Sequence, residues 1–489
     1  MRGLLSILHL TGFTMLVFSL TMLLPVGVAH YTNDGTFFAF LDAMGIALVL
    51  GGLMYGLTLR HQRELQPRDG FLLVSLVWTV LPMLAAIPLY IYFYRSGEPI
   101  SVSYAYFEAV SGLTTTGATV LSVLHELPPA IHVWRALLAW IGGMGILVLT
   151  VAILPLLGVG GSQVVRAETP GPMKDEKLTP RMASTAKGLY AVFVAISLVC
   201  WVAYLLAGLT PLDAFVHMCA TVALGGFSTL DGSIGGFHSL PVESVALVFM
   251  LLGGISYMTH FSALRTRSLK AYLVCPQTST YLWIMFGTAL TVVLYLVYER
   301  VYPTIGEAVR HGVFNAVSVA TTTGFASTDY SRWPAFAPWL MLLVSCFAAS
   351  AGSTGGGIKL IRLVLLVRQT RYELLRLVHP RVVAPLRLGQ QIVDTRVLLG
   401  VMGFMLLYLT TLAVSSLLLI LSGLDSLTAF TAALSSLNNT GAGLGAVGPA
   451  GSYGGMSDFQ IWVCTFVMLL GRLELATLLV LFTPMFWQR

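Results

Sequence analysis

The chain has 489 residues, of which 56% are hydrophobic and 10% charged, with a net charge of +6 at neutral pH. A soluble globular protein carries about 25% charged residues, so this composition excludes one and implies an integral membrane protein. Apolar runs of the roughly 20 residues that cross a bilayer recur from end to end, among them 3–28, 37–59, 71–94, 136–158, 188–208 and 244–263, and no soluble domain fits between them.

The first run follows Arg2 directly, is long for a signal-peptide core and has no small-x-small cleavage site, so it is expected to stay as a helix. With the run at 37–59 it forms an N-terminal helix pair, 1–66. Four related units follow, at 67–182, 183–270, 271–389 and 390–489. Each has a long apolar segment, then a short one ending in a polar turn: "FEAVSGLTTTGATV" (107–120), "FVHMCATVALGGFS" (215–228), "FNAVSVATTTGFAS" (314–327) and "AFTAALSSLNNTGAGLG" (429–445). A second long segment with glycines partway along closes each unit: "AWIGGMGILVL" (139–149), "LLGGISYMTHF" (251–261), "AASAGSTGGGIKLIR" (348–362) and "MLLGRLELATLL" (468–479). Aligned on Gly117, Gly225, Gly324 and Gly441, the turns have a small residue six positions earlier (Ser111, Cys219, Ser318, Ser435). A phenylalanine stands ten earlier in three copies (Phe107, Phe215, Phe314) and eleven earlier in the fourth (Phe430).

Thr210 to Asp213, Thr304 to Glu307 and Ser422 to Asp425 have the Ser/Thr-x-x-acid spacing of a helix start. They predict short helices entering from the outer side and stopping partway; the first unit lacks this signal. Non-helical backbone at membrane depth is tolerated only when buried in protein or facing an aqueous cavity. Four such turns around one axis would present carbonyl oxygens able to replace the water shell of a cation. Threonine hydroxyls could add ligands, and helix C-termini pointing inward would favour positive charge. A glycine cap at a helix end explains one such turn equally well; four at matched positions favour the shared axis.

The motifs "TTTGAT", "TTTGFAS", "NNTGAG", "AGSTGGGIK" and "LLGRLE" resemble those of the TrkH/Ktr/HKT superfamily of potassium transporters, the bacterial TrkH type in particular, and the resemblance covers essentially the whole chain. It implies an all-α integral membrane protein with four pseudo-symmetric helix–pore-helix–helix repeats around one pore, plus two extra N-terminal helices, assembled as a dimer. It implies a potassium filter at Thr115, Thr116 and Gly117; Ala223, Leu224 and Gly225; Thr322, Thr323 and Gly324; and Asn439, Thr440 and Gly441. Glycine rather than serine at 117 favours potassium over sodium. Two departures, no threonine directly before Gly225 and asparagines at 438 and 439, imply weaker selectivity.

"SAGSTGGG" (350–357) is too rich in glycine for a firm helix. In the resembling family the matching segment is a gate beneath the filter, which assigns gating to Gly352, Ser353, Thr354, Gly355, Gly356, Gly357 and Lys359. Arg472, about fifteen residues into the last span, is expected to face the cavity below the filter and oppose cations there; a structural arginine held by helix-end carbonyls or by a carboxylate such as Glu474 is the alternative. Residues two apart on a helix diverge, so Glu474 of the same chain is a poor partner.

One set of loops, with the termini, carries 21 of the Lys and Arg residues, against five on the other side (Arg95, Arg135, Arg300, Arg310, Arg332). This alternation argues against a nucleic-acid surface and places both termini in the cytoplasm; a bacterial inner membrane, with lipid around the spans, is what the resemblance implies. The basic inner segment 362–396 is either simple topology charge or a docking face for the cytoplasmic nucleotide-binding TrkA-type regulatory subunit that the resemblance implies. Five cysteines without CxxC spacing, ten histidines without metal spacing, and "GLGAVG" outside a βαβ setting point to no enzyme and no organic cofactor, K+ being cargo. Coupling of potassium to protons or sodium, and a non-transporting receptor or scaffold, are the alternative functions.

Overall fold

The computed structural model describes residues 2–60, 66–148, 179–382, 387–388 and 391–488. Arg63, Arg166, Lys174 and Lys177, counted above among the inner-loop charges, lie outside the described residues, as does part of the 362–396 segment. Seven described helices are long and apolar enough to cross a membrane, or up to nine if each of two sharply bent pairs is one span. An antiparallel pair of two-residue strands, Arg387–Leu388 with Gln391–Ile392, precedes the last unit and leaves the class all-helical.

Arg2–Leu20 and Leu23–Thr32 form one bent span beside Phe37–Thr58. The two spans touch backbone to backbone at Gly12 and Gly51, the close packing that small residues permit between membrane helices. The four units follow. Their first helices are Pro67–Ser96, Thr179–Leu206, Pro276–Tyr298 and Thr395–Leu421. These carry apolar side chains outward, for example Leu399, Leu406 and Leu417, as a lipid-facing surface requires.

The short pore helices are Val102–Leu113, Pro211–Val222, Ile305–Ala320 and Ser426–Asn438. At 1.5 Å per residue, 12 to 16 residues span about 18–24 Å, less than a hydrocarbon core of about 30 Å. The Thr210 and Thr304 hydroxyls accept the Asp213 and Glu307 amide hydrogens as their spacing predicts. The fourth start differs: Ser422 ends the preceding helix, and Asp425 itself is the cap, accepting from the Thr428 amide. The first pore helix is also capped, by Ser101 accepting from Tyr104 N–H, a signal without the acidic residue that the spacing rule seeks.

The second helices depart from the sequence reading, which breaks only the third. Pro129–Val148 is continuous, but three are interrupted. Leu240–Gly254 and Tyr257–Thr266 meet at 93°, and Asp458–Arg472 and Ala476–Phe482 at 108°. The third is Phe336–Ser345, a loop, then Leu360–Val378. Two of these breaks satisfy each other: Tyr257 N–H donates to Gly352 O at 3.0 Å and Ser350 N–H to Gly254 O at 3.3 Å. Buried peptide groups freed from one helix thus find partners in the other unit, which makes the interruption tolerable at depth.

Candidate functional site

Each pore helix ends in a residue of left-handed backbone, one ordinary residue, then a left-handed glycine. The first residues are Thr115, Leu224, Thr322 and Asn439, with φ of 56°, 55°, 63° and 53°. The glycines are Gly117, Gly226, Gly324 and Gly441, with φ of 78°, 65°, 84° and 83°. The second segment is therefore one residue out of step with the sequence alignment: Gly226 holds the glycine position, and Gly225 stands where the others have Thr116, Thr323 and Thr440. Hydrogen bonds agree, since Thr116, Gly225, Thr323 and Thr440 each donate their amide hydrogen to the residue five earlier, Ser111, Ala220, Ser318 and Ser435. Ala220, not Cys219, is thus the counterpart of the serines, and Phe215 falls eleven residues before its glycine, like Phe430.

The four segments meet. A Cβ built on Gly117 would strike Gly225 O; on Gly226, Thr323 O; on Gly324, Thr440 O; on Gly441, Thr116 O. Each glycine abuts the carbonyl of the next segment, and the fourth returns to the first, so the contacts close into a collar. Glycine is required twice over, for its left-handed backbone and for the missing Cβ. Beyond the collar a cavity of about 210 Å³ is lined by Gly117, Gly226, Gly324 and Gly441 and the residues after them, with Arg135 and Asp231 among its walls. Main-chain oxygens so arranged, with four helix C-termini aimed at them, are suited to a dehydrated cation.

Behind the collar the segments are braced at matching positions in three units and one residue earlier in the fourth. Glu108, nine residues before Gly117, accepts from Thr119 Oγ1 and Val120 N–H at 3.0 and 3.1 Å. His217 Nε2 lies 3.0 Å from Ser228 Oγ, and Asn315 Oδ1 accepts from Ser327 N–H at 3.1 Å. In the fourth unit Thr431 Oγ1 accepts from Leu444 N–H at 3.0 Å. Glu108 is paired with Arg135 at 2.7 Å, both buried, and that guanidinium also lies 4.3 Å from the Phe227 ring centre. Arg135, read from sequence as an outer-loop charge, is thus part of the scaffold. The hydroxyls are not uniform: Thr116 and Thr323 bond to Thr114 and Thr321 at 2.7 and 2.8 Å, whereas Gly225 has none. Asn439 Nδ2 reaches across to Thr116 Oγ1 and Met468 O, both at 3.0 Å.

The loop 350–357 lies against the other end of the collar. Gly356 N–H donates to Thr322 Oγ1 at 2.9 Å, and Thr354 Oγ1 to Val222 O, the end of the second pore helix, at 3.2 Å. A Cβ on Gly356 would collide with Asn438 O. Ser353 closes a turn onto Ser350 O at 2.7 Å, and Gly352 and Gly357 carry φ of 74° and 76°. Lys359 Nζ bonds to Gly355 O. Arg472 is buried and donates to Thr354 O at 2.9 Å and to Gly142 O at 3.0 Å, fastening the loop to the first unit's second helix. One loop carbonyl and one carbonyl within the Pro129–Val148 helix thus take its two terminal nitrogens, its Nε is left without a partner among the described residues, and Glu474 pairs instead with Arg362 at 2.5 Å.

The arrangement has known relatives. Residues 37–489 match the family model TrkH, described as a cation transport protein. The chain is 42% identical over 483 residues to the Trk system potassium uptake protein TrkH of Escherichia coli (strain K12), covering 99% of both. It is 36% identical over 482 residues to Trk system potassium uptake protein TrkG of the same organism, covering 98% of both. A crystal structure of the potassium transporter TrkH from Vibrio parahaemolyticus superposes with a TM-score of 0.92 at 41% identity, covering 99% of this chain and 100% of that one. The chain therefore belongs to the TrkH family of cation transport proteins and is a multi-pass membrane protein.

Proposed function

We propose that this chain takes up potassium ions across a bacterial cytoplasmic membrane through the collar of carbonyls, with the loop 350–357 and Arg472 as its gate. The closed circuit of glycine-to-carbonyl contacts carries this reading, because it gathers oxygens from all four repeats (67–182, 183–270, 271–389 and 390–489) at one place. Four filter segments then hold the ion: Thr115 to Gly117, Leu224 to Gly226 with Ala223 beneath, Thr322 to Gly324, and Asn439 to Gly441. The naming of the relatives as a potassium uptake protein and a potassium transporter supports the choice of ion.

The resting gate follows from the loop's docking on the pore-helix ends. Arg472 clamps the loop through Thr354 O, and its positive charge opposes cations until the loop moves. Both termini lie in the cytoplasm, two copies assemble, and a TrkA-type nucleotide-binding subunit acts on the basic inner face.

The test is expression in bacterial cells without potassium uptake. Growth at low potassium is expected; no growth with the protein present in the membrane would count against transport. Flux into proteoliposomes under defined proton and sodium gradients separates a passive pore from coupled symport.

A further inference from the structure

We infer that Thr322 is the positioning residue that holds the loop shut against the filter. The inference rests on the gate reading above and adds a specific residue to it. Thr322 is β-branched yet left-handed, at φ 63°. That backbone state does not itself demand a hydroxyl, because Leu224 occupies the matching position at φ 55°. What the Thr322 hydroxyl does is accept the Gly356 amide hydrogen at 2.9 Å, in a buried setting.

Gly356 has little room to find another acceptor. Its Cα is pressed so closely on Asn438 O that no side chain fits, and a Cβ on Gly355 would stand 3.2 Å from Thr321 O. On its other flank the loop's Thr354 O is taken by Arg472. With the loop docked, the Gly356 N–H therefore depends on Thr322. With the loop withdrawn, that N–H faces a hydrated pore and needs no protein partner. A hydroxyl required in only one of two states biases the equilibrium between them. Its removal raises the free energy of the shut state and leaves the open state unchanged.

The experiment compares resting flux and potassium/sodium preference in proteoliposomes for the parent, Thr322→Val, Thr322→Ser and Arg472→Ala. An unmet buried donor shifts the shut/open ratio about fivefold or more. Thr322→Val should therefore raise resting flux by about that factor, and Thr322→Ser should return it to the parent's level. Should the valine variant not reach the membrane, Thr322→Leu tests the same bond with a residue type that Leu224 shows the backbone accepts. If Arg472→Ala raises flux and the valine and leucine variants do not, the inference is overturned while the gate reading stands. If neither position raises flux, the gate reading fails and the inference with it. Loss of ion preference without a rise in flux also overturns it, since Thr322 would then serve the filter alone.

Discussion

At the scale of single residues, the decisive pair is Gly225 and Gly226. An alanine at Gly226 must adopt a left-handed backbone, which costs roughly 1–2 kcal/mol, and must also enter the space of Thr323 O. An alanine at Gly225 keeps an ordinary backbone and presses only on the Ala139 methyl, at 2.9 Å. Gly226→Ala should therefore lose potassium uptake by about tenfold or more, and Gly225→Ala should lose less. Rubidium influx in cells expressing each variant at equal level checks this, and the opposite order would return the filter position to Gly225. The sequence alone favours the first glycine because the phenylalanine pattern agrees in three copies. The distinguishing signal was present but weaker: a polar residue nine before the glycine (Glu108, His217, Asn315) and a hydroxyl just after it.

At the scale of elements, the collar segments owe their shape to pairing between each pore helix and the segment that follows it. Glu108 and Arg135 are the charged instance. Taking one partner from a buried ion pair strands the other in a poor solvent, at about 3–5 kcal/mol, whereas replacing both with apolar residues is often near neutral. Glu108→Leu alone should lower the thermal unfolding temperature in detergent more than Glu108→Leu with Arg135→Met. If the double variant is the less stable, the pair contributes more than its own burial demands. Helices of this kind were legible where local chemistry announces them: apolar length for the spans, Thr210 and Thr304 for two pore-helix starts, and the glycines of 350–357 for one break. The breaks near residues 255 and 473 were not, because no proline marks them. At the break near 255 the freed backbone groups are met by the distant Gly352 and Ser350, which no local pattern encodes. Ser422 misled for a related reason, since a helix end and the next helix start share four residues.

At the scale of the molecule, the units are joined on the side of the collar away from the loop 350–357 as well as at the collar. His125, after the first collar segment, lies 2.6 Å from Asp231, after the second, at the rim of the cavity. The hydrogen bond to Asp231 raises the His125 pKa above its ordinary 6.5. Partial burial pushes Asp231 up, but hydrogen bonds from His125 and the Leu124 amide outweigh it and leave the carboxyl below 3.8. A raised histidine stabilises the fold fully below 6.5 and loses that contribution as pH rises through its folded value. A lowered carboxylate stabilises above 3.8 and loses it as pH falls through its folded value. The link is thus strongest in mild acid and weakens on both sides. The imidazole NMR titration of His125 should have a midpoint above 6.5, moving back toward it in Asp231→Asn; an unmoved midpoint would refute the pairing.

A collar made by a single polypeptide escapes a constraint that binds symmetric assemblies. In an assembly of four identical subunits any substitution appears four times, so the opening stays symmetric whatever evolution does to it. Here every quarter can differ from the others, and the hydroxyl missing at Gly225 is one such difference. Ion preference in such a protein can be adjusted one side at a time, in steps finer than a homotetramer allows.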